Sequence, residues 1–105
     1  MNRRDYKGST PFSDAELAQL NNGTDSQRAD FLTARGVELG VFIDQFIQQN
    51  SLPLPSADGS TGGVAILGWS VGNVVTLSSI ANFKALSSEA QSRLATYIRL
   101  LVMNG

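Results

Sequence analysis

Hydrophobic positions in this chain recur with two different periods, and the switch between them outlines the fold. From about residue 25 to 50, Leu32, Leu39, Phe42, Ile43 and Phe46 return at spacings of three, four and seven. That is the signature of one core-facing stripe on a long helix. Arg28, Asp30, Arg35, Glu38, Asp44, Gln45, Gln48 and Gln49 occupy the polar positions between them. Thr24 or Asp25 is placed to start this helix. Gly36 and Gly40 lie four apart inside it, and each weakens a helix by about 1 kcal/mol relative to Ala. Small residues at that spacing admit a neighbour closely, and the expectation is helix-on-sheet packing.

The period then changes. Val64-Ala65-Ile66-Leu67 is an uninterrupted apolar run bounded by glycines, the pattern of a buried strand. A helix is predicted over Asn73–Phe83 and another over about 88–98, with Leu94 and Ile98 inward. Leu100-Leu101-Val102-Met103 reads as a second buried strand. Between the long helix and the first strand, Leu52–Gly63 holds Pro53, Pro55 and the turn pair Asp58-Gly59, so it is a surface connector. Upstream, residues 3–12 (RRDYKGSTPF) are rich in turn formers and lack periodicity. Ser13 and Glu16 then form a capping box for a short helix over about 13–21, which stops at Asn21-Asn22-Gly23. Ser88 and Gln91 offer a second capping pair. The long helix and the 73–83 helix are expected to cover the two sheet faces from opposite sides.

Composition narrows the chemistry. The chain has 105 residues, enough for one ordinary domain, and 42% are hydrophobic, enough for a packed core. Eight Lys/Arg against nine Asp/Glu give a net charge of −1, which supplies no electrostatic basis for nucleic-acid binding. Cysteine and histidine are both absent. This removes disulfides, thiolate and imidazole metal sites, cysteine nucleophiles and any Ser–His–Asp triad contained within the chain. No metal and no cofactor are expected. The longest apolar runs are far too short to span a bilayer, and Met1-Asn2-Arg3-Arg4 is followed by polar residues rather than a signal-peptide core. The default expectation is a soluble, cytoplasmic chain with no membrane span.

One constellation carries chemistry. Gly68-Trp69-Ser70-Val71-Gly72 is G-x-S-x-G, set between a predicted strand and a predicted helix. This is the context of a nucleophile elbow. The serine sits in a strained turn that lifts its hydroxyl off the sheet. Gly68 and Gly72 are read as removing side chains that would collide in so tight a bend. The following helix aims its N-terminal N–H groups at the site, and the Val71 N–H is the expected oxyanion donor. The competing reading is a plain strand-to-helix turn with Ser70 as N-cap.

GGVAILGWSVGN, with NRRDYKGSTPFS far upstream, resembles the α/β-hydrolase fold family, and within it the fungal alpha/beta hydrolase-1 type. Such proteins run from a strand into a basic R-R-D-Y-x-G-S-T loop, an amphipathic helix, the elbow strand, its helix and the next strand. The resemblance covers essentially the whole chain, with GWSVG its specific part. It implies an α/β fold of about two to three parallel strands with flanking helices, and a partial hydrolase domain over 1–105 with its elbow region at 63–83. It implies Ser70 as nucleophile, Val71 as half of the oxyanion hole, and Trp69 as a substrate-pocket residue unless it is core. It also implies a small-molecule acyl substrate in full-length relatives. The family's acid and histidine lie beyond the elbow and have no counterpart here, so the expectation is a hydrolase fragment inactive alone. The alternative is a degenerate, non-catalytic module. Glu38, Asp44, Asp58 and Glu89 read as solvated charges, and Lys84 lies too far along the chain to act as a base. Open sheet edges would favour self-association.

Overall fold

The computed structural model describes residues 4–105, which divide into two compact units, one ending at Phe31 and the other Leu32–Gly105. Arg3 and the residues before it, part of the basic loop of the resemblance, lie outside the described residues.

In the first unit the segment that reads as a featureless loop is organised by its charges. The Arg4 guanidinium grips both carboxylate oxygens of Glu16 at 2.7 and 2.8 Å and lies 4.8 Å from the centre of the Phe12 ring. Phe12 meets Phe31 edge-on at 5.3 Å. Helix α1 (Asp14–Asn22) starts on the expected capping box, with the Ser13 hydroxyl accepting from the Glu16 N–H and Glu16 accepting from the Ser13 N–H. Helix α2 (Asp25–Gln49) starts on a second box, Thr24 with Gln27.

The second unit holds the remainder of α2, strand β1 (Val64–Trp69), α3 (Gly72–Ala81), a single 3-10 turn (Phe83–Ala85), α4 (Ser88–Tyr97) and β2 (Ile98–Asn104). The two strands form one parallel sheet, with Ala65 beside Leu100 and Leu67 beside Val102. The architecture is therefore mixed helix and parallel strand, compatible with the α/β class. No helix among the described residues is long and apolar enough to cross a membrane.

The core is built from Ile43 and Ile47 of α2, Ile66 of β1, and Leu86, Ala90 and Leu94. This corrects the predicted stripe. Ile43 is buried, but Leu32, Phe42 and Phe46 are exposed, and the inward line runs Gly36, Gly40, Ile43, Asp44, Ile47. The reason is the pair of glycines. They lie on the inward line, where the lack of side chains lets neighbouring elements come close. A Cβ on Gly36 would lie 2.5 Å from the Ser78 carbonyl carbon, and one on Gly40 would lie 2.9 Å from Leu86. Gly36 thus serves helix-on-helix packing against α3, and Gly40 makes room for Leu86 in the turn before α4, rather than the helix-on-sheet contact expected. The Ser78 hydroxyl reaches across to the Leu32 carbonyl at 2.7 Å.

All this cover falls on one face of the sheet. Ile66 packs with α2 and α4, and Gly68, on the same face, abuts Asn73 and Thr76 of α3. The expectation of helices on opposite faces does not hold. On β1 the consequence is strict alternation, Ile66 and Gly68 buried, Ala65, Leu67 and Trp69 exposed. A parallel strand normally has both faces covered.

Two local expectations also shift. Ser87, not Ser88, caps α4, its hydroxyl accepting from the Ala90 N–H, while the Gln91 amide donates to the Leu86 carbonyl instead of closing a box. Ile98 begins β2 rather than ending the helix, its backbone already extended at ψ 120°. Leu94 is buried as expected.

Candidate active site

Ser70 stands between the last residue of β1 and the first of α3 with φ +52°, one of few non-glycine residues in the left-handed half of backbone space. Such a conformation costs on the order of 1–3 kcal/mol and persists only where its surroundings hold it. Those surroundings are visible. The Ser70 N–H donates to the Asn104 carbonyl at the end of β2 at 2.9 Å. The Asn73 side-chain amide donates to that same carbonyl at 3.1 Å, and the Asn73 N–H returns to the Ser70 carbonyl at 3.0 Å. One carbonyl of the neighbouring strand therefore pins both sides of the bend.

The two motif glycines separate. A Cβ on Gly68 would come 2.4 Å from the Asn73 side-chain oxygen and 3.2 Å from the Asn73 Cα, so the turn tolerates no side chain there. A Cβ on Gly72 would meet nothing within 4 Å. The steric reading of Gly72 is corrected accordingly: α3 turns away from β1 quickly enough to leave that position open.

Ser70 is exposed, and its hydroxyl makes no hydrogen bond among the described residues. The plain N-cap reading, which needs that hydroxyl to accept from the first turn, is not what is observed: α3 has no side-chain cap bond. Val71 is in helical conformation, and its N–H, like that of Gly72, has no acceptor among the described residues. Two backbone donors at a helix N-terminus thus lie directly after the hydroxyl. Trp69 is 64% exposed, so it is not a core residue; its ring lies on the bare sheet face.

The carboxylates weighed as bases fall elsewhere. Asp44, expected to be solvated, is buried and holds Arg93 at 2.6 Å and the Gln48 amide at 2.9 Å. The reason lies in α4: its Arg93 guanidinium approaches across the core and makes burial of the charge tolerable. Glu38 pairs with Arg35 at 2.9 Å. Asp58 organises the 56–61 loop, accepting from the Ser56 hydroxyl at 2.6 Å and from the Ser60 N–H and hydroxyl at 3.0 and 2.8 Å. Those bonds lower its pKa to about 2, the Ser56 bond contributing most. Glu89 lies in the first turn of α4, and Lys84 in the 3-10 turn.

Two hollows open on this unit. One of about 630 Å³ runs along α4 beside Leu54, Arg93 and Tyr97, and one of about 480 Å³ lies between Gly59, Gly63 and Arg99. Neither is lined by residues 68–72. Sequence reasoning missed Asn73, whose signal was its position three residues after the serine, in the first turn of the helix. Comparison with protein-family models, with curated proteins and with solved structures finds no match.

Proposed function

We propose that this chain carries the nucleophile segment of a serine hydrolase of the α/β-hydrolase type, with Ser70 as the nucleophile. The observation that supports the reading is the bend itself: a serine at φ +52° between strand and helix, its hydroxyl unbonded, followed by the unengaged N–H of Val71. In the complete reaction the Ser70 oxygen attacks the carbonyl carbon of a small acyl compound, an ester for instance. Its proton passes to a general base, and the Val71 N–H donates to the carbonyl oxygen as negative charge collects there. The base returns that proton to the leaving oxygen as the ester C–O bond breaks, and the alcohol departs. Water, giving a proton to the base, then attacks the acyl-enzyme; the acyl C–O bond to Ser70 breaks, the carboxylic acid is released and the serine oxygen regains its proton. This chain contains no histidine to serve as that base. An unassisted serine is a weak nucleophile, so the chain by itself is a poor catalyst.

A fluorophosphonate probe followed by intact-mass and peptide mapping tests the assignment. Slow, single labelling at Ser70, lost in Ser70→Ala and unaccompanied by turnover of a p-nitrophenyl ester, is the expected result. Labelling scattered over other serines, or robust turnover by the wild-type chain, would count against it. The second reading, a non-catalytic module that retains only the architecture, is favoured by the carboxylates being engaged elsewhere, Asp44 with Arg93, Glu38 with Arg35 and Asp58 with Ser56 and Ser60. It predicts no labelling at all.

A further inference from the structure

Asn73 touches the bend on three sides. Its backbone N–H donates to the Ser70 carbonyl, its side-chain Nδ2 donates to the Asn104 carbonyl of β2, and its side-chain oxygen stands where a Gly68 side chain would be. That oxygen is buried and has no hydrogen-bond partner among the described residues. A buried acceptor without a partner weakens the fold, because the water it gave up is not replaced. The amide cannot turn over to relieve this. Exchanging its two ends would set the oxygen against the Asn104 carbonyl oxygen, acceptor against acceptor, and leave the NH2 facing the Gly68 Cα, which offers no acceptor. For stability alone the side chain is a poor choice. What it supplies is a donor at one fixed point, on the same carbonyl that receives the Ser70 N–H.

We infer that Asn73 is the positioning residue of the bend: through the shared Asn104 carbonyl its amide keeps Ser70 left-handed, and so sets the direction of the Ser70 hydroxyl and of the Val71 N–H. This role rests on the reading of Ser70 as the nucleophile. At φ +52° Ser70 gains by relaxing toward the right-handed or extended region, and only ties on both sides prevent it. The Ser70 N–H bond holds the strand side. The Asn73 N–H closes the turn on the Ser70 carbonyl, but that bond is local and could travel with the helix. The Asn73 amide anchors the first turn of α3 to β2 itself. The hydroxyl and the Val71 donor lie between these anchors, and their relative placement is fixed, as attack and oxyanion binding require. Asp has the same shape as Asn but donates from its side chain only when protonated.

Full-length wild type, Asn73→Ala and Asn73→Asp are compared by circular dichroism melts, by the NMR cross-peak between amide proton and Hα within Ser70, which is strong at positive φ, and by the rate of fluorophosphonate labelling at Ser70. Asn73→Ala removes the orphaned oxygen along with the donor, so its Tm should stay close to wild type. Its Ser70 cross-peak should weaken, and labelling should slow by about tenfold or more. A purely structural role would lower Tm and leave the labelling rate of the folded chain unchanged. The Asn73→Asp titration reads the same bond in a side chain of unchanged shape, however Asn73→Ala folds. Its labelling rate, as a ratio to wild type at the same pH, should be lowest at neutral pH and climb toward one as the carboxyl protonates, with the cross-peak returning in step. The groups that position 73 meets, Ser70, Asn104 and Gly68, are uncharged, and the Gly105 carboxylate beside Ser70 is common to both chains and cancels in the ratio. Wild-type cross-peak and labelling in Asn73→Ala, or an Asn73→Asp ratio indifferent to pH, would overturn the inference. A wild-type chain that never labels would sink the nucleophile reading instead. The cross-peak then decides the positioning role alone: weakened in Asn73→Ala it upholds that role, unchanged it ends it.

Discussion

Gly36→Ala separates tertiary packing from local helix preference, because the two predict opposite signs. On propensity alone the substitution stabilises α2 by about 1 kcal/mol. In the fold, the new methyl would stand 2.4 Å from the Ser78 hydroxyl oxygen and 2.5 and 2.6 Å from the Ser78 carbonyl carbon and oxygen. Comfortable carbon contacts begin near 3.5 Å, so the helices must part by about 1 Å. Two of the three contacts are backbone and have no rotamer to yield. Overpacking of this kind costs about 1–3 kcal/mol. The same displacement stretches the 2.7 Å bond from Ser78 to the Leu32 carbonyl beyond hydrogen-bond range, a further loss of about 1 kcal/mol. The balance is a net destabilisation of about 1–3 kcal/mol. For a domain of this size each kcal/mol lowers Tm by about 4–8 °C, well within the reach of circular dichroism. Adding Ser78→Ala should not rescue the variant, since the carbonyl clash remains. A Gly36→Ala chain that melts higher than wild type would refute the close approach of α2 and α3.

Three further outcomes are expected. Gly68→Ala should destabilise by about 1–3 kcal/mol by pushing on Asn73, whereas Gly72→Ala should change stability by about 1 kcal/mol or less, toward greater stability; equal effects in urea melts would contradict the asymmetry of the bend. Ser70→Gly should be more stable than Ser70→Ala by about 1 kcal/mol, because only glycine relieves the Cβ strain at φ +52°, and matched urea midpoints would deny that strain. Asp58 should titrate with a midpoint about 2 rather than 3.8 when its carboxyl carbon is followed by NMR. Because its folded pKa is depressed, its contribution to stability is full above pH 3.8 and fades as pH falls through 2. Asp58→Asn should remove that dependence, and a midpoint at the ordinary value would mean the Ser56 and Ser60 bonds are absent in solution.

The hydrophobic periods, the capping pairs at Ser13 and Glu16, and the G-x-S-x-G string between strand and helix are local signals. They located α1, α2, β1, α3 and β2 to within a few residues because caps and period depend on neighbours in the chain. That Ser70 sits in a strained turn was legible from the G-x-S-x-G string, and the structure places that strain at φ +52°. Tertiary contact decided the rest. Which flank of α2 turns inward was settled by Gly36 meeting a backbone carbonyl 42 positions downstream, against the larger apolar area of Leu32, Phe42 and Phe46. Asp44 is buried because Arg93 reaches it from α4, 49 residues away, and a charge pattern along one helix cannot report that. Asn73 acquires its place at the bend only once β2 brings the Asn104 carbonyl alongside. Periodicity specifies that a face is apolar; what covers it, or leaves it bare as on β1, depends on elements remote in the chain whose approach local spacing does not encode.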